Sequence, residues 1–327
     1  MSNDSSSVRE WMAFNPAIDL HVHGLLKGYL RRWLPVECRT SLPQSRAGMV
    51  GAQFQVLVSP PVFGSRFAFR AVMGQVECLD RLVGRFPDLA VVARTASGVE
   101  QARISGRTAY LVGIEGSHCL DSDLGRVGVL AERGVRYICL AHFVPNRSCR
   151  PSVGIGANPK RGLSAFGREM ISACGENGVI VDLAHISRRG FSEAASLIRG
   201  PFMVSHTGVR AVHDHDRNLD DDQIRLVAES GGLVGVTFVR WILGGSEISL
   251  VARHLEHVIG LVGDDHVAIG SDMDAPMAAV VSRLSDSSRL PNLVAVLFER
   301  GWSRERVAKL LRLNVLRLLE SVPPRYP

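Results

Sequence analysis

Residues 178–187 read Gly-Val-Ile-Val-Asp-Leu-Ala-His-Ile-Ser, and residues 200–206 read Gly-Pro-Phe-Met-Val-Ser-His. In each stretch a short apolar run follows a turn signal, which predicts a strand buried on both faces. Each run ends in a histidine, His185 in the first and His206 in the second. The carboxyl ends of consecutive parallel strands lie at the same end of a barrel or sheet, here called the mouth. β/α folds bind ligands and metals at this end. The pair therefore predicts a metal site.

The alternation of apolar run and helical segment recurs along the whole chain. It predicts a single-domain α/β fold, a (β/α)8 TIM-type barrel at residues 17–321, with an N-terminal extension at 1–16 and a C-terminal tail at 322–327. An open doubly wound sheet is the alternative, but it would gather polar residues at one switch point. The apolar run at residues 90–93 leaves open a ninth, accessory strand. The eight barrel strands are predicted at residues 17–20, 53–58, 110–114, 137–140, 179–183, 202–204, 233–238 and 266–270.

Helical spacing of apolar residues predicts the segments between these strands. The loop at residues 145–160, rich in Gly, Pro, Asn and Ser, is long enough to cover a site. Helices are expected at residues 67–86, 121–133, 162–177, 220–229, 250–262, 291–300 and 303–320.

The composition is that of a globular chain, with 46% hydrophobic and 21% charged residues. The net charge of +6 comes mainly from dispersed arginines, whereas nucleic-acid binding needs a clustered basic stripe, so no nucleic-acid partner is expected. The termini lack the apolar core of a signal peptide and a hydrophobic tail, and no apolar run is long enough to span a bilayer. The six cysteines have no Cys-x-x-Cys spacing, which predicts small buried side chains rather than a zinc or redox site. We therefore expect a reduced, cytoplasmic protein.

Other predicted strands also end in residues that bind metals or move protons. His21 and His23 lie two residues apart and face the same side of a strand. Glu115 ends an apolar run, and burying an unpaired carboxylate costs several kcal/mol unless a cation compensates it. His142 closes the fourth strand and Asp272 follows the eighth. These residues ring the predicted barrel.

Each of these residues also has a structural interpretation. His185 and His206 suit a pair of hydrogen-bonded core histidines, and Glu115 suits an ion pair with an arginine. Asp272 is also a preferred helix-capping residue. His118, His213 and His215 read as neighbours of the site or loop residues. The remaining three histidines, His254, His257 and His266, read as structural.

With these residues assembled, the chain resembles the membrane (renal) dipeptidase family of binuclear zinc metallopeptidases, within the amidohydrolase-like barrels. The resemblance covers nearly the whole chain and rests on the order and spacing of several motifs. They are Arg-Ala-Gly-Met-Val-Gly-Ala-Gln-Phe at 46–54, Gly-Ile-Glu-Gly-Ser-His at 113–118, Gly-Leu-Ser-Ala-Phe-Gly at 162–167, Val-Asp-Leu-Ala-His-Ile-Ser at 181–187, Val-Ser-His at 204–206, Arg-Asn at 217–218 and Gly-Ser-Asp-Met-Asp at 270–274.

The resemblance implies two zinc ions per chain. Carried over position by position, it places His21 and His23 on the first ion and His185 and His206 on the second, with Glu115 bridging both. Two cations that share a water lower its pKa toward neutrality, and the metal-bound hydroxide then attacks an amide carbonyl. A homodimer is also implied.

The same resemblance implies three roles around the substrate. His142 would bind the carbonyl oxygen and the developing oxyanion, Arg217 would grip the terminal carboxylate, and Asp272 would pass a proton to the leaving amine. A pocket that binds both the free carboxylate and the free amine of its substrate excludes long peptides. The expected enzyme is a zinc-dependent dipeptidase that hydrolyses a dipeptide or a related small amide.

Two positions depart from the family pattern. The family usually has His-x-Asp at the first strand, where this chain has His21 and His23. Replacing a carboxylate by a neutral imidazole removes one negative charge around the first metal, which predicts weaker binding there or a softer ion. Ala275 stands where the family commonly has glycine.

Two other functions stay open on the sequence alone. The His-x-His form is common in the wider amidohydrolase group, which favours a lactone or a cyclic amide as the alternative substrate. A catalytically silent family member that binds a small ligand or a partner is the other alternative.

Overall fold

In the described part of the chain, nine parallel strands form one sheet, and eight of them close into a ring. A computed structural model of the chain describes residues 5–30, 38–62, 64–121, 123–275 and 279–327. The hydrogen-bonded order is β2-β1-β9-β8-β7-β6-β5-β4-β3, and β2 also pairs with β4, which closes the ring and leaves β3 outside. The strands are β1 (Ala17–Val22), β2 (Val50–Val58), β3 (Ala90–Val92), β4 (Thr108–Glu115), β5 (Val135–Cys139), β6 (Ile180–Asp182), β7 (Met203–Thr207), β8 (Leu233–Val236) and β9 (Val267–Ile269).

The ring confirms the predicted (β/α)8 barrel and the accessory ninth strand, β3. Its strands are apolar on both faces because side chains of one parity fill the ring and the others pack under helices. One buried cluster draws a residue from nearly every strand, including Leu20, Phe54, Leu111 and Met203, and fills the ring. The larger cluster lies between the strands and the helices.

Helices cover the outside of the ring. Four of them begin at a serine or aspartate whose side chain accepts a hydrogen bond from a backbone N–H three residues on: Ser164, Ser187, Asp220 and Ser303. The helices are α1 (Ser5–Phe14), α2 (Gly24–Leu30), α3 (Leu42–Ala47), α4 (Gly64–Arg85), α5 (Ala96–Ile104), α6 (Arg126–Glu132), α7 (Ala165–Glu176), α8 (Arg188–Leu197), α9 (Asp221–Glu229), α10 (Arg240–Leu243), α11 (Ile248–Val262), α12 (Leu290–Glu299), α13 (Arg304–Ala308) and α14 (Asn314–Ser321).

Two predicted helices differ from the structure. The helix expected at residues 121–133 begins only at Arg126, because Asp123 accepts a hydrogen bond from the Gly125 N–H and closes a turn there; residue 122 lies outside the described residues. The helix expected at 303–320 is interrupted by a π-helical turn at Lys309–Leu313. Beyond that turn, the Asn314 side chain donates to the carbonyls of Asp264 and Val267, at 2.7 and 2.8 Å.

Both ends of the described chain pack on the barrel. In α1, Val8 and Met12 are buried, and the Trp11 ring meets Phe298 of α12 edge to face at 5.4 Å. The buried Arg136 of β5 donates to the carbonyls of Gly178 and Val322, which ties the C-terminal tail to the base of the ring. Residues 1–4 of the predicted N-terminal extension lie outside the described residues.

All six cysteines are free thiols, as their spacing predicts, and four of them are buried. Burial raises the pKa of both Cys149 and Cys174 to about 12, so neither is a reactive thiolate near neutral pH. Among the described helices, none combines the length and the apolar character needed to cross a bilayer.

Gly113 of β4 makes room for a tyrosine that reaches toward the mouth. A Cβ atom at this position would lie 2.2 Å from Cζ of Tyr137, whose hydroxyl donates to the carbonyl of Leu20 at 3.1 Å. The ring of Tyr137 is fully buried, so it has no free space to move into. This glycine is therefore required by packing.

We expect Gly113→Ala to lower the free energy of unfolding by about 1–3 kcal/mol, the usual cost of overpacking a core. The matched control is Gly260→Ala in α11, where an added Cβ meets nothing within 4 Å. The control should keep or raise stability by up to about 1 kcal/mol, because alanine favours a helix over glycine. Urea unfolding of both variants measures the difference, and equal stabilities would contradict the packing argument.

Candidate metal centre

Seven of the eight predicted site residues come from the carboxyl ends of six barrel strands, and the eighth, Arg217, lies in the loop after β7. His21 lies in β1 and His23 just after it; Glu115 is the last residue of β4, and His206 lies in β7. Since these ends point the same way in a parallel ring, the side chains meet at one mouth. The remaining three, His142, His185 and Asp272, follow β5, β6 and β9.

The imidazoles form two close pairs. Nε2 of His21 lies 3.2 Å from Nε2 of His23, and Nε2 of His185 lies 2.9 Å from Nε2 of His206. All four rings are buried, with at most 4% of each residue exposed. The structure thus brings together the two histidine pairs that the sequence singles out.

The carboxylate of Glu115 lies between the two pairs. Its Oε1 is 3.0 Å from Nε2 of His185 and 3.4 Å from Nε2 of His206. Its Oε2 is 3.5 Å from Nε2 of His23 and 3.3 Å from Nε2 of His142, and Nε2 of His21 lies 3.6 Å from Oε1. One carboxylate can therefore contact a cation at either pair.

Burial keeps three of these histidines neutral. It lowers the pKa of His21, His185 and His206 well below the ordinary value, and neighbouring positive groups add to the effect. For His23, burial also lowers the pKa, but its hydrogen bond to Asp272 and the charges of Glu115 and Asp272 outweigh burial and raise it. Neutral imidazoles have the free lone pairs that a metal needs.

Asp272 lies beside the first pair. Its Oδ1 is 3.4 Å from Nε2 of His23 and 3.9 Å from Nε2 of His21, and burial raises the pKa of its carboxyl group. Both Asp272 and His185 have left-handed backbones, with φ of 58° and 66°. That conformation costs a non-glycine residue about 1–3 kcal/mol, and such residues cluster at functional sites.

The donor set fits divalent metal ions. On a tetrahedral zinc ion, two nitrogen ligands lie about 3.3 Å apart, close to the spacing within each histidine pair. The ring nitrogens also converge, because Nε2 of all four histidines lies within 3.6 Å of a Glu115 oxygen. The residues that can hold metal fall into two groups at the mouth, His21–His23–Asp272 and Glu115–His185–His206.

Arg217 lies behind the second pair. Its side chain is buried, its Nη2 donates to the carbonyl of His206 at 2.9 Å, and its Nε has no partner among the described residues. A cavity of about 160 Å³ contacts both Arg217 and His185. Its other polar lining residues are Ser152, Arg188, Arg210, Asp216, Asn218 and Gln223.

Two partly exposed aromatic side chains, Phe143 and Trp241, lie close to the site histidines, and no sequence motif pointed to them. The centroid of the Phe143 ring lies 4.8 Å from that of the His185 ring and 6.4 Å from that of the Trp241 ring. His215 meets Trp241 at 5.1 Å and stacks with His213 at 6.0 Å, as loop residues near the site. Phe143 and Trp241 remain 36% and 40% exposed, so both can contact a molecule entering the mouth.

The three histidines interpreted as structural have hydrogen-bond partners outside the two histidine pairs. His254 accepts from the Val209 N–H at 2.8 Å, His257 lies 2.7 Å from Asp221, and His266 lies 3.1 Å from the carbonyl of Gly232. His118 is buried at the start of a short 3-10 helix that follows Glu115.

Asp274 stabilises a loop next to the site. Its carboxylate accepts from the Thr40 hydroxyl at 2.6 Å and from the Arg39 N–H at 2.9 Å, and Lys27 lies 3.1 Å away. These bonds tie the loop after β9 to the segment before α3. The motif at 270–274 thus contains one carboxylate at the mouth and one that anchors the loop.

Comparison with known proteins agrees with this geometry. Residues 9–324 match the sequence profile of the membrane dipeptidases, peptidase family M19. This chain belongs to the membrane dipeptidase family. Dipeptidase verJ of Clonostachys rogersoniana is 31% identical over 345 residues, which cover 98% of this chain and 88% of that protein. The resemblance predicted from the sequence motifs is confirmed.

Solved structures of metallopeptidases share the fold. Dipeptidase AC, a metallopeptidase of family M19, is 26% identical with a TM-score of 0.86, covering 94% of this chain and 98% of that chain. A Rhodobacter sphaeroides metallopeptidase bound to a phosphinate mimic of the dipeptide L-Ala-D-Ala is 24% identical with a TM-score of 0.86, covering 94% and 99%. The family and the histidine clusters together support a metal-dependent hydrolase.

The lowered pKa of His206 has a consequence for stability in the metal-free protein. In the unfolded chain this imidazole takes up a proton near its ordinary pKa of 6.5, whereas in the folded chain it stays neutral. Protons bound only by the unfolded state favour unfolding, so stability present above pH 6.5 is lost as the pH falls. For one such histidine the loss between pH 7.5 and 6.0 is about 1 kcal/mol.

We therefore expect metal-free wild-type protein to lose about 1 kcal/mol more stability over this interval than His206→Gln, which lacks the titrating group. Urea unfolding in the presence of a chelator, at both pH values, gives the two losses. Equal losses would mean that the folded protein protonates His206 as readily as the unfolded chain does.

Proposed function

We propose that this protein is a zinc-dependent dipeptidase that holds two metal ions and hydrolyses the peptide bond of a dipeptide. The observation that carries the proposal is one buried carboxylate, Glu115, between two buried histidine pairs. Membership of the membrane dipeptidase family supports the same activity. Imidazole nitrogen and carboxylate oxygen are ligands that suit zinc.

His21 and His23 would hold the first ion and His185 and His206 the second, with Glu115 contacting both. When bound, the two ions lower the pKa of a shared water and polarise the substrate carbonyl. Because His23 stands where the family usually has aspartate, the first site has one fewer negative charge. We expect it to bind metal more weakly than the second site.

Asp272 has the position and the environment of a proton shuttle. Burial raises the pKa of its carboxyl group, so it can hold a proton during turnover. As the water oxygen joins the carbonyl carbon, one water proton passes to Asp272. The peptide C–N bond then breaks, and the same proton passes to the nitrogen of the leaving amine.

His142 is suited to bind the carbonyl oxygen. Burial, aided by the positive charge of nearby groups, lowers the pKa of its imidazole to about 3, so the ring is neutral at pH 7. A neutral ring can donate one N–H to an oxygen that gains negative charge in the transition state. Its Nε2 lies 3.3 Å from Glu115, at the centre of the site.

Arg217 is placed to bind the terminal carboxylate of the substrate. The charges of Asp272, Glu115 and Asp182 stabilise the buried guanidinium, but its Nε has no hydrogen-bond partner among the described residues. A carboxylate in the adjoining cavity would supply the missing acceptor. A longer peptide carries an amide there instead, which explains a preference for dipeptides.

The role of Asp272 predicts a separation of metal binding from turnover. Asp272→Asn should retain zinc but lose about 10²- to 10⁴-fold in kcat, because the amide cannot carry the proton. The matched control is Asp80→Asn, an exposed carboxylate paired with Arg133, which should keep wild-type turnover. Metal analysis and dipeptide hydrolysis, measured on the same samples, test the assignment. Near-normal turnover by Asp272→Asn would rule it out.

The role of Arg217 predicts which substrates are accepted. Wild type should hydrolyse L-Ala-L-Ala or L-Ala-D-Ala far faster than the corresponding C-terminal amide. Arg217→Lys should lose about 10- to 100-fold in kcat/KM for the free acid and much less for the amide, because lysine lacks the two-pronged contact. Arg225→Lys, an exposed helical arginine paired with Asp222, is the control.

The same assays separate the proposed function from its alternatives. The substrate panel includes a lactone and a cyclic amide, because His21 and His23 have the form found in the wider amidohydrolase group. Hydrolysis of these compounds, without that of dipeptides, would favour an amidohydrolase of that kind. Ligand binding without turnover at any zinc concentration would instead favour a silent family member.

A further inference from the structure

Ser205 of β7 lies beneath both histidine pairs. Its hydroxyl oxygen is 3.1 Å from Nδ1 of His21 and 2.9 Å from Nδ1 of His206. It is also 2.5 Å from Oδ2 of Asp182, and the residue is fully buried. One hydroxyl therefore contacts one histidine from each proposed metal site and a carboxylate.

The hydrogen of this hydroxyl goes to Asp182. The Asp182 carboxylate also accepts from the backbone N–H groups of Ala184 and Ser205, both at 2.9 Å, so every contact it makes there is as an acceptor. A serine hydroxyl has one hydrogen and two lone pairs. With its hydrogen on Asp182, Ser205 can only accept from the two histidines.

This arrangement fixes the tautomer of both rings. Nδ1 of His21 and Nδ1 of His206 must each carry a hydrogen to reach the Ser205 oxygen, which leaves Nε2 with its lone pair. Tyr137 agrees at His21: its hydroxyl donates to the Leu20 carbonyl and accepts from the same Nδ1 at 3.0 Å. The two free lone pairs are those that face Glu115.

The arrangement also explains a third cluster of potential ligands, formed by His21, Asp182 and His206. The Ser205 hydroxyl is within hydrogen-bond distance of all three. We therefore interpret this cluster as a hydrogen-bond network that supports the site.

The other two histidines lack such support. Nδ1 of His23 and Nδ1 of His185 have no hydrogen-bond partner among the described residues. Each pair thus contains one ring held by Ser205 and one that is not. The two supported rings belong to different pairs and share a single oxygen atom.

We propose that Ser205, oriented by Asp182, is a positioning residue that presents one histidine to each metal site and so sets the affinity of both sites together. The proposal rests on the dinuclear site of the proposed function. Loss of a group that orients a metal ligand typically weakens binding about 10- to 100-fold. A single substitution at Ser205 should therefore weaken two sites.

The first test reads the tautomers directly and needs no metal. Metal-free protein containing ring-¹⁵N histidine is studied by long-range ¹H–¹⁵N NMR, with His21→Gln and His206→Gln to assign the signals. We expect hydrogen on Nδ1 and a free Nε2 for both rings in wild type. In Ser205→Ala this preference should be lost at His206 and weakened at His21, where the Tyr137 hydroxyl still accepts from Nδ1. Hydrogen on Nε2 of either ring in wild type would overturn the proposal.

The second test measures zinc affinity at both sites by competition with a chromophoric chelator. Ser205→Ala should weaken both sites by about 10- to 100-fold. The matched control is Ser117→Ala, which removes another buried serine hydroxyl, one that donates to the Leu140 carbonyl; its affinities should match wild type. Asp182→Asn, which keeps the shape but can donate to Ser205, should resemble Ser205→Ala and serves if that variant fails to fold.

The outcomes separate this proposal from the proposed function. Weakening of only one site, or of neither, overturns the shared role of Ser205 while the dipeptidase assignment stands. Wild-type protein that binds no zinc overturns the dinuclear site and the affinity claim with it. In that case the NMR experiment still decides whether Ser205 fixes the two tautomers.

Discussion

The whole mouth of the barrel depends on the burial of one negative charge. Glu115 is only 3% exposed, and a carboxylate in such a place costs several kcal/mol unless positive groups or hydrogen-bond donors surround it. Five imidazoles and one buried guanidinium lie around it. These groups come from several strands and the loops that follow them, so only a closed ring with correct register can bring them together. A metal pair at this position would turn a costly burial into a favourable one.

Beneath this charged layer, the interior of the ring becomes apolar. Leu20, Phe54 and Leu111 fill the interior with apolar side chains, and Tyr137 ends that layer with its hydroxyl directed at His21. Ser205 and Asp182 form the next polar level. His21 and His206 therefore rest on a buried hydrogen-bonded base, while the aromatic rings of Phe143 and Trp241 stay partly exposed. A catalytic centre requires both features, because its ligands must be held in place and its substrate must be able to enter.

The sequence predicted the ring and the ligand candidates because both follow from simple rules. A histidine after a buried apolar strand has few other places to point, so His185 and His206 could be placed at one mouth without a structure. Ser205 and Asp182 could not, since a serine before a histidine has no distinctive pattern and Asp182 reads as part of a strand. Their roles depend on distances across strands, which the sequence does not contain.

Local structure was predicted less well where side chains compete with the regular pattern. Apolar spacing extended the helix expected at 121–133 too far toward its start, because the turn formed by Asp123 is invisible to hydrophobic periodicity. The same spacing runs unbroken through Lys309–Leu313, where the helix widens by a residue per turn. The contacts of Asn314 with the loop before β9 are long-range and outweigh local preference there.

The small strand β3 changes how the barrel meets other molecules. A closed ring has no free strand edge, and this protects it from pairing with other chains. β3 adds one edge back, because it pairs with β4 and, among the described strands, with no other. This edge strand has only three residues, which is too few for a strand of another chain to pair with it stably. The protein thus keeps the resistance to strand-by-strand aggregation that its ring confers.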